Sequence, residues 1–548
     1  MRRLLLIPLV IIVIGGLVFG SCSTATTTPA PTTAPAPAPT TAPKPAPTTA
    51  PAPAPTTVQP QYGGTLVWVR NTGIVAIGAP QDIPTQTHTF PLTSPVLETL
   101  VLTDNKEDIV PWLADSVTTS PDGKTITFKL KTGIKFHDGT NFNAAAVKYN
   151  LEAVKNAKAS GTAVLENVIS YDVVDDYTIR VNLKTYDARF LLALAQSGIG
   201  VMASPTALAK PTTPENAGKD HLVGTGPFKF DSWAKDQFVK MVKNPDYWQK
   251  GRPYLDAIEI RNNPNVTTSI MSLKAKEVNM VENIDPADYV QLGKEGYAVG
   301  IPTTLAFVFS FITDSANPNS PFAKQQVREA LEYAIDKKSM TEGLGKGTQN
   351  PAYQLAAPKD AWYIQGFPER TYNVAKAKQL LTEAGYPTGF KTVPHSDVRR
   401  RADELVAIQS YFKEIGIETT LDVADVARAT TFVQSTGGWD GILVPGFPNW
   451  SSFTSWTNRY LNPTLTYPSA KMPPGWTDGW NKVIAEPDFS KRVTMMKDLL
   501  KPVYEQALIN PWLWDAPRYV TDGKVMDMAW DARNTNGYFD AVNVWIKK

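Results

Sequence analysis

The chain has 548 residues, with 54 Lys and Arg against 52 Asp and Glu, and Cys22 is its only cysteine. This near-neutral balance, without a run of basic residues long enough to follow a phosphate backbone, argues against a nucleic-acid partner. A single cysteine excludes an intramolecular disulfide, and the chain after Cys22 has no thiolate nucleophile and no cysteine metal site.

The first predicted element is a secretion signal at residues 1–22. Two arginines follow the initial methionine, Leu4 to Phe19 is an apolar run, and small residues precede Cys22. The apolar run is shorter than the ~20 residues of a spanning helix, so a retained membrane helix is the second choice. The string FGSC at residues 19–22 resembles the bacterial lipoprotein box, with phenylalanine in place of the usual leucine. We therefore predict lipidation of Cys22 and an exported protein, anchored at the outer face of the cytoplasmic membrane or in the periplasm.

Residues 23–62 are predicted to form a flexible stalk. Thr, Ala and Pro make up nearly all of this stretch, and the octads TTAPAPAP, TTAPKPAP and TTAPAPAP follow one another from Thr32 to Pro55. Alternating prolines fix φ and remove backbone donors, so the segment favours polyproline II, at ~3.1 Å per residue, over helix. Threonines beside prolines are also candidate sites for sugar attachment.

The folded body that follows has a mixed α/β pattern. Thr65 to Arg70 is predicted as a strand, and Ile126 to Leu130 as another after a Pro-Asp-Gly turn. Glu404 to Ile415 has the apolar spacing of a helix, which Gly416 ends, and Ile417 to Val423 follows as a strand. Helix, glycine and strand in this order are typical of a covered sheet.

Motifs of catalysis and metal binding are missing from the sequence. The histidines have no pair at ligand spacing, and they are His88, His137, His221 and His395. Gly343, Gly345 and Gly347 are predicted to lie in a loop after a helix, which is not the strand-to-helix setting of a phosphate loop. We therefore predict no metal, no cofactor and no enzymatic activity. An exported carbohydrate-active enzyme stays open as an alternative, because the two acids of a glycosidase need not be neighbours in sequence.

Short motifs carry a stronger signal than periodicity. In chain order they are Ser94 to Leu102, Pro111 to Ser116, Ser120 to Lys124, Thr127 to Leu130, Gly133 to Gly139, Gly224 to Phe228, Asn244 to Trp248, Val327 to Leu331, Ala334 to Asp336 and Ala375 to Gly385. These motifs resemble the family 5 extracellular solute-binding proteins, which are the dipeptide-, oligopeptide- and nickel-binding receptors of ABC importers. Their number and order make the resemblance specific.

The resemblance implies an α/β fold of the type II periplasmic-binding-protein class, with two lobes around a hinge and an extra inserted domain. Lobe I is discontinuous in this family and is placed at residues 63–95, 223–305 and 515–548. The inserted domain is placed at residues 96–222, and lobe III at residues 306–514. Two rigid lobes would close over a small solute in the cleft between them, while hinge segments absorb the motion.

The resemblance also places the solute site near residues 439–450. Peptide-binding members receive the amino terminus of the peptide on an aspartate shortly after a strand, but no Asp or Glu occurs from Gly441 through Ser469. An ammonium group buried without a counter-charge would cost several kcal/mol. Aromatic and amide side chains crowd this stretch instead, and they suit either a neutral ring-shaped solute or an apolar peptide side chain. The predicted ligand-binding residues are Phe447, Asn449, Trp450, Trp456, Trp514 and Asp515.

The sequence is interpreted as that of a lipid-anchored receptor that binds a small solute outside the membrane and delivers it to the permease subunits of an ABC importer. Peptide is the first candidate solute, and an oligosaccharide or another neutral organic solute is the alternative. Asp397 and Arg518 join Asp515 as possible charged anchors. We expect a monomer. A surface adhesin on a stalk is a third interpretation, and it would show a broad exposed apolar patch.

Overall fold

Strands and helices are mixed throughout the part of the chain that a computed structural model describes, which is residues 59–548 apart from 72–73, 75, 83–89, 105–107, 159–161, 213–217, 302–306, 399, 434–437, 449–461, 463–466 and 529–540. Gln59–Lys548 form one compact unit. The predicted signal, Cys22 and nearly all of the predicted stalk lie outside the described residues, so these assignments stay predictions. Within the described ranges, no helix has the length and apolar character needed to cross a membrane.

The strands belong to three main sheets and several two-stranded pairs. In chain order they are β1 (Thr65–Arg70), β2 (Glu98–Thr99), β3 (Val101–Thr103), β4 (Ile109–Pro111), β5 (Ala114–Thr119), β6 (Thr125–Leu130), β7 (Val168–Asp175), β8 (Thr178–Leu183), β9 (Val201–Met202), β10 (Phe228–Ala234), β11 (Phe238–Lys243), β12 (Ala257–Asn262), β13 (Met280–Glu282), β14 (Ala298–Gly300), β15 (Phe307–Thr313), β16 (Asn350–Pro351), β17 (Phe390–Thr392), β18 (Pro394–Asp397), β19 (Ile417–Thr419), β20 (Asp422–Ala424), β21 (Ile442–Leu443), β22 (Gly446–Pro448), β23 (Ile509–Asp515), β24 (Tyr519–Thr521), β25 (Val525–Met526) and β26 (Trp545–Ile546).

The helices cover these sheets, and several begin at a side-chain cap. For example, the side chain of Asn143 accepts a hydrogen bond from the backbone of Ala146, which satisfies a donor that the first helical turn leaves free. In chain order they are α1 (Phe90–Thr93), α2 (Ala144–Asn156), α3 (Arg189–Gln196), α4 (Pro205–Leu208), α5 (Val266–Lys274), α6 (Pro286–Lys294), α7 (Gln325–Ala334), α8 (Lys337–Gly345), α9 (Val374–Glu383), α10 (Ala402–Glu414), α11 (Val426–Phe432), α12 (Trp476–Ala485) and α13 (Phe489–Glu505).

The first sheet has the strand order β10-β11-β12-β1-β13-β24-β14. β1 lies parallel to β12 on one side and to β13 on the other. Leu66 and Trp68 of β1 are buried, as expected for a central strand. The strands of this sheet come from residues 65–70, 228–300 and 519–521, so distant parts of the chain build one sheet. The exact boundaries given to lobe I stay a prediction.

The second sheet has the strand order β16-β23-β15-β21-β18-β20, and β22 also pairs with β15. β15 is antiparallel to β23 and to β22, so Phe307 at its start lies opposite Asp515 and opposite Pro448. β18 is parallel to β20 and β21. The start of β15 and the ends of β18, β22 and β23 therefore lie along the same edge of the sheet.

The third sheet is antiparallel, with the order β5-β6-β8-β7. Ile126, Phe128 and Leu130 alternate along β6 and are buried, as the sequence pattern predicts for a strand with one covered face. They share one apolar core with Trp68 of the first sheet. The third sheet is thus packed on the first sheet without a separate core of its own.

Two predicted elements in the second half of the chain differ from the structure. The stretch predicted as one strand from Ile417 to Val423 is two strands, β19 and β20, which pair with different neighbours. The prediction of a loop at Gly343 and Gly345 is wrong, because helix α8 continues to Gly345. A Cβ at Gly345 would lie 2.7 Å from the side chain of Gln349, so close packing explains a glycine at this helical position.

Candidate functional site

The two large sheets are joined where their strands end. The chain leaves the first sheet at Gly300, the end of β14, and enters the second at Phe307, the start of β15. It returns from Asp515, the end of β23, to Tyr519, the start of β24. The strand ends that these connections link lie at the carboxyl ends of β1 and β13 in one sheet and of β18 and β22 in the other. Ligands of open α/β sheets bind at such edges.

Arg518 connects the two sheets at the second connection. Its Nε donates to the carbonyl of Ile284, just after β13, at 2.7 Å. Its Nη1 donates to Oδ1 of Asp515 at 2.5 Å and to the hydroxyl of Thr348 at 3.3 Å. Arg518 is buried, so these bonds are shielded from water and form a rigid contact between the sheets.

Asp515 continues this contact into the second sheet. Its Oδ2 lies 3.7 Å from Nη2 of Arg400, and the same nitrogen lies 2.7 Å from Oε2 of Glu404. Oε1 of Glu404 accepts a hydrogen bond from Gln349 at 2.8 Å. We call Arg518, Asp515, Arg400 and Glu404 the hinge cluster, because they surround the connection between the sheets.

Arg400 of the hinge cluster has hydrogen-bond donors that the described residues leave unused. Its backbone N–H donates to the carbonyl of Asp397, which places it one turn after β18, and its guanidinium lies 3.5 Å from the ring centroid of Phe309. The side chain is 5% exposed, and its Nε and Nη1 atoms have no hydrogen-bond partner among the described residues. Burial lowers the pKa of Arg400, while the charges of Glu404 and Asp515 raise it. A buried guanidinium with unpaired N–H groups is suited to an oxyanion.

The corresponding edge of the first sheet carries a buried ion pair and two amides. Nε of Arg70, the last residue of β1, lies 2.6 Å from Oε1 of Glu282, the last residue of β13. Burial raises the pKa of Glu282, and the charge of Arg70 opposes that shift. Asn71 and Asn283 follow directly, and Nδ2 of Asn283 donates to Oδ1 of Asn71 at 3.0 Å.

The residues predicted for the site fall into three groups. Asp515 lies in the hinge cluster, with Oδ1 already bonded to Arg518. Trp514 is 7% exposed and packs in the core of the second sheet. The backbone of Phe447 pairs with Val308, while its side chain falls outside the described residues, as do Asn449, Trp450 and Trp456. Ligand contact by these six residues stays a prediction.

The signature motifs meet around a carboxylate far from this edge. Glu98 is fully buried, and four side-chain donors from three other motifs point at it. Its Oε1 accepts from Trp112 at 2.9 Å and from Tyr247 at 2.7 Å, and its Oε2 accepts from Thr225 at 2.8 Å and from Trp248 at 3.0 Å. The motifs around Glu98 therefore join the third sheet to the first.

Each histidine in the described ranges contacts a carbonyl or carboxylate oxygen of this chain. Nε2 of His137 donates to the carbonyl of Gly226 at 2.9 Å, and burial lowers the pKa of His137 to about 4. Nitrogen atoms of His221 and His395 lie within 3 Å of the carboxylates of Asp82 and Asp422, respectively. No group of His, Cys, Asp and Glu in the described ranges could hold a metal ion.

Comparison with known proteins identifies the family. The model of the bacterial extracellular solute-binding proteins, family 5 Middle, matches residues 108–470. The chain belongs to this family. The glutathione-binding protein GsiB of Escherichia coli O157:H7 is 32% identical over 375 residues, which cover 66% of this chain and 70% of that protein. Both the predicted family and the predicted function of a solute-binding protein for an ABC importer are confirmed.

Solved structures confirm the predicted fold class. The periplasmic binding protein DppA from Helicobacter pylori, in complex with the peptide STSA, has a TM-score of 0.73 and 24% identity, over 89% of this chain and 99% of that one. AgaA from A. tumefaciens R10, in complex with agropinic acid, has a TM-score of 0.73 and 25% identity, over 88% and 99% of the two chains. These relatives are named as binding proteins, and family 5 solute-binding proteins are extracytoplasmic.

Gly446 allows Phe309 to support Arg400, and replacing it tests the site. A Cβ at Gly446 would lie 2.5 Å from the ring of Phe309, so Gly446→Ala must displace this ring. The guanidinium of Arg400 packs against the same ring. We expect a loss of about 1–3 kcal/mol in the free energy of unfolding and weaker solute binding. Gly343→Ala is the control, because nothing lies within 4 Å of that Cβ. Equal melting temperatures and affinities for the two variants would contradict this role of Gly446.

Proposed function

We propose that this family 5 protein is exported and anchored through a lipid on Cys22, and that it binds a peptide in the cleft between its two large sheets. It acts as a monomer, delivers the peptide to the permease of an ABC importer and carries out no covalent chemistry. The Thr/Ala/Pro stretch serves as the stalk between anchor and receptor. A single acyl chain binds a membrane only marginally, whereas the several chains of a bacterial lipoprotein anchor firmly.

The assignment of peptide as the solute rests on the unpaired donors of Arg400. Its Nε and Nη1 atoms are buried at the edge where the two sheets meet, and no described residue pairs with them. An unpaired buried donor costs free energy, and a charged one costs more. The carboxylate of a peptide would satisfy these N–H groups and add a favourable charge interaction. GsiB, named for glutathione, and DppA, solved with a peptide, are consistent with this solute class.

A neutral organic solute such as an oligosaccharide is the second candidate, and the state of Asp515 favours it. One oxygen of Asp515 is bonded to Arg518, and the other lies beside Arg400. The charges of two guanidinium groups therefore already compensate the carboxylate of Asp515, which makes it a weaker partner for the ammonium group of a peptide. The aromatic residues predicted for the site, Phe447, Trp450 and Trp456, would suit the apolar faces of sugar rings.

A thermal-shift experiment on the full chain, purified in detergent, separates these candidates. Its panel contains the peptide STSA, its amino-acetylated form, glutathione and raffinose. A ligand that binds only the folded state adds ~2.7 kcal/mol at 100 times its dissociation constant, so a true solute class must raise the melting temperature. We expect both peptide forms to do so. A response to raffinose alone would replace peptide by a neutral solute, and no response to any probe would contradict the proposed function.

A further inference from the structure

Asn71 and Asn283 form an amide pair at the carboxyl edge of the first sheet. They are neighbours because β1 and β13 are parallel, with Val69 opposite Val281. Nδ2 of Asn283 donates to Oδ1 of Asn71 at 3.0 Å, and Nδ2 of Asn71 donates to the carbonyl of Asn283 at 3.3 Å. Both side chains are half-buried, so the pair is fixed by its own hydrogen bonds and remains accessible.

The backbone of Asn283 is in an unusual conformation. Its φ is +55°, in the left-handed region that glycine adopts freely and asparagine adopts at a small cost. Glycine would thus fit this turn better if the turn alone mattered. Residues in this conformation occur in ordinary turns and also at ligand sites, so the hydrogen-bonding groups of Asn283 carry the argument further than its φ.

The amide pair faces the same connection as the hinge cluster. Ile284, the residue after Asn283, accepts the hydrogen bond of Arg518, and Arg518 in turn contacts Asp515. The amide pair and Arg400 therefore lie on opposite sides of Arg518, one belonging to each sheet. Beneath the pair, Arg70 and Glu282 neutralise each other. The edge of the first sheet thus offers uncharged polar groups, whereas the edge of the second offers a guanidinium.

We infer that Asn71 and Asn283 are the specificity-determining contact of the first sheet and that they recognise a neutral hydrogen-bonding group of the solute, such as a peptide group. The hydrogen bonds within the described chain leave Oδ1 of Asn283 without a donor and one hydrogen of its Nδ2 without an acceptor. One acceptor beside one donor matches the C=O and N–H of an amide. This inference rests on the proposed function and extends it to the second side of the cleft.

Asn283→Gly separates a binding role from a structural one. Glycine keeps the turn and relieves the strain, so the melting temperature should stay within about 2 °C of the wild-type value. Loss of one ligand hydrogen bond should weaken binding of STSA or glutathione about fivefold, measured by calorimetric titration of the full chain. Lys276→Gly is the matched control, because Lys276 is exposed and has φ +63°. Asn71→Ala, which removes the partner, should weaken binding in the same direction.

Three outcomes are decisive. Weaker binding by Asn283→Gly, with wild-type binding by Lys276→Gly, supports the inference. Wild-type affinity in Asn283→Gly for both probes overturns it while leaving the proposed function intact. A wild-type protein that melts cooperatively but binds neither probe overturns the proposed peptide function, and this inference falls with it.

Discussion

Glu98→Gln is expected to lower the melting temperature markedly, and by a wider margin at about pH 5 than at about pH 8. Each carboxylate oxygen of Glu98 accepts one indole N–H, from Trp112 or from Trp248. An indole nitrogen cannot accept a hydrogen bond, so either orientation of a glutamine amide places its NH2 group against an N–H. Leaving a buried donor unpaired costs about 1–3 kcal/mol. The third sheet should therefore separate more easily from the first.

The pH dependence follows from the pKa of Glu98. Burial raises this pKa from 4.5 to about 7, and hydrogen bonds from Tyr247, Trp248, Thr225 and Trp112 oppose the shift. Because folding raises this pKa, the resulting stabilisation is present in full at pH values below the pKa of the unfolded chain. It is lost as the pH rises through about 7, the pKa in the folded protein. Glutamine does not titrate. The advantage of wild type over Glu98→Gln should thus shrink by about 2 kcal/mol between about pH 5 and pH 8.

Thermal melts of both proteins at the two pH values measure this effect. Glu152→Gln serves as the control, because Glu152 is 47% exposed and forms only a surface pair with Lys148. Its melting temperature should stay within about 1 °C of wild type at either pH. A margin for Glu98→Gln that is constant or grows with pH would show that Glu98 is ionised throughout, held so by its four donors.

The strands and the family could be predicted from sequence, whereas the contacts around Glu98 could not. The β-type composition of residues 65–70 and the alternation of residues 126–130 correctly predict β1 and β6, since a strand pattern is local. The motif order correctly indicates the family. The meeting of Glu98 with Trp112, Thr225 and Tyr247 depends on contacts between distant stretches, and one sequence contains no signal for such pairings. The motifs therefore identify the protein without revealing the carboxylate that they surround.

The solute site shows the same division. The position of Asp515 at the return into lobe I predicts a charged anchor, but its bond to Arg518 depends on the turn between them. Arg400 lies in a run of three arginines, which in sequence is typical of an exposed charged face. Packing against Phe309 makes Arg400 a buried residue instead of an exposed one. This contact could not be predicted, because β15 and β18 are far apart in the sequence. Asn283 gave no signal because a left-handed asparagine looks like any turn residue.

Asp515→Asn is expected to cost about 3 kcal/mol of stability and to weaken solute binding. The side chain of Asp515 is 11% exposed and lies between the guanidinium groups of Arg518 and Arg400, which are 7% and 5% exposed. Asparagine has the size of aspartate but no charge. The buried guanidinium groups of Arg518 and Arg400 then share Glu404 as the one remaining carboxylate of the hinge cluster, and Glu404 lies beside Arg400. Arg400 then loses one of the two carboxylates beside its guanidinium.

Asp403→Asn is the matched control for that variant. Asp403 pairs with Arg401, but its side chain is 46% exposed, so the same substitution should cost no more than about 1 kcal/mol. Urea unfolding of the two variants compares a buried with an exposed Asp–Arg pair. Equal losses would mean that the hinge cluster contributes no more than a surface contact.

Binding of STSA and its amino-acetylated form to Asp515→Asn then decides how Asp515 acts. If Asp515 receives the ammonium group of the peptide, the substitution weakens the free peptide and leaves the acetylated one unaffected, since the latter has no ammonium charge. If Asp515 instead positions Arg400 for the carboxylate, both forms weaken by the same factor, because both retain that carboxylate. The two guanidinium groups beside Asp515 favour the second result. Calorimetric titration of both peptides into wild type and variant gives the ratio that distinguishes the two roles.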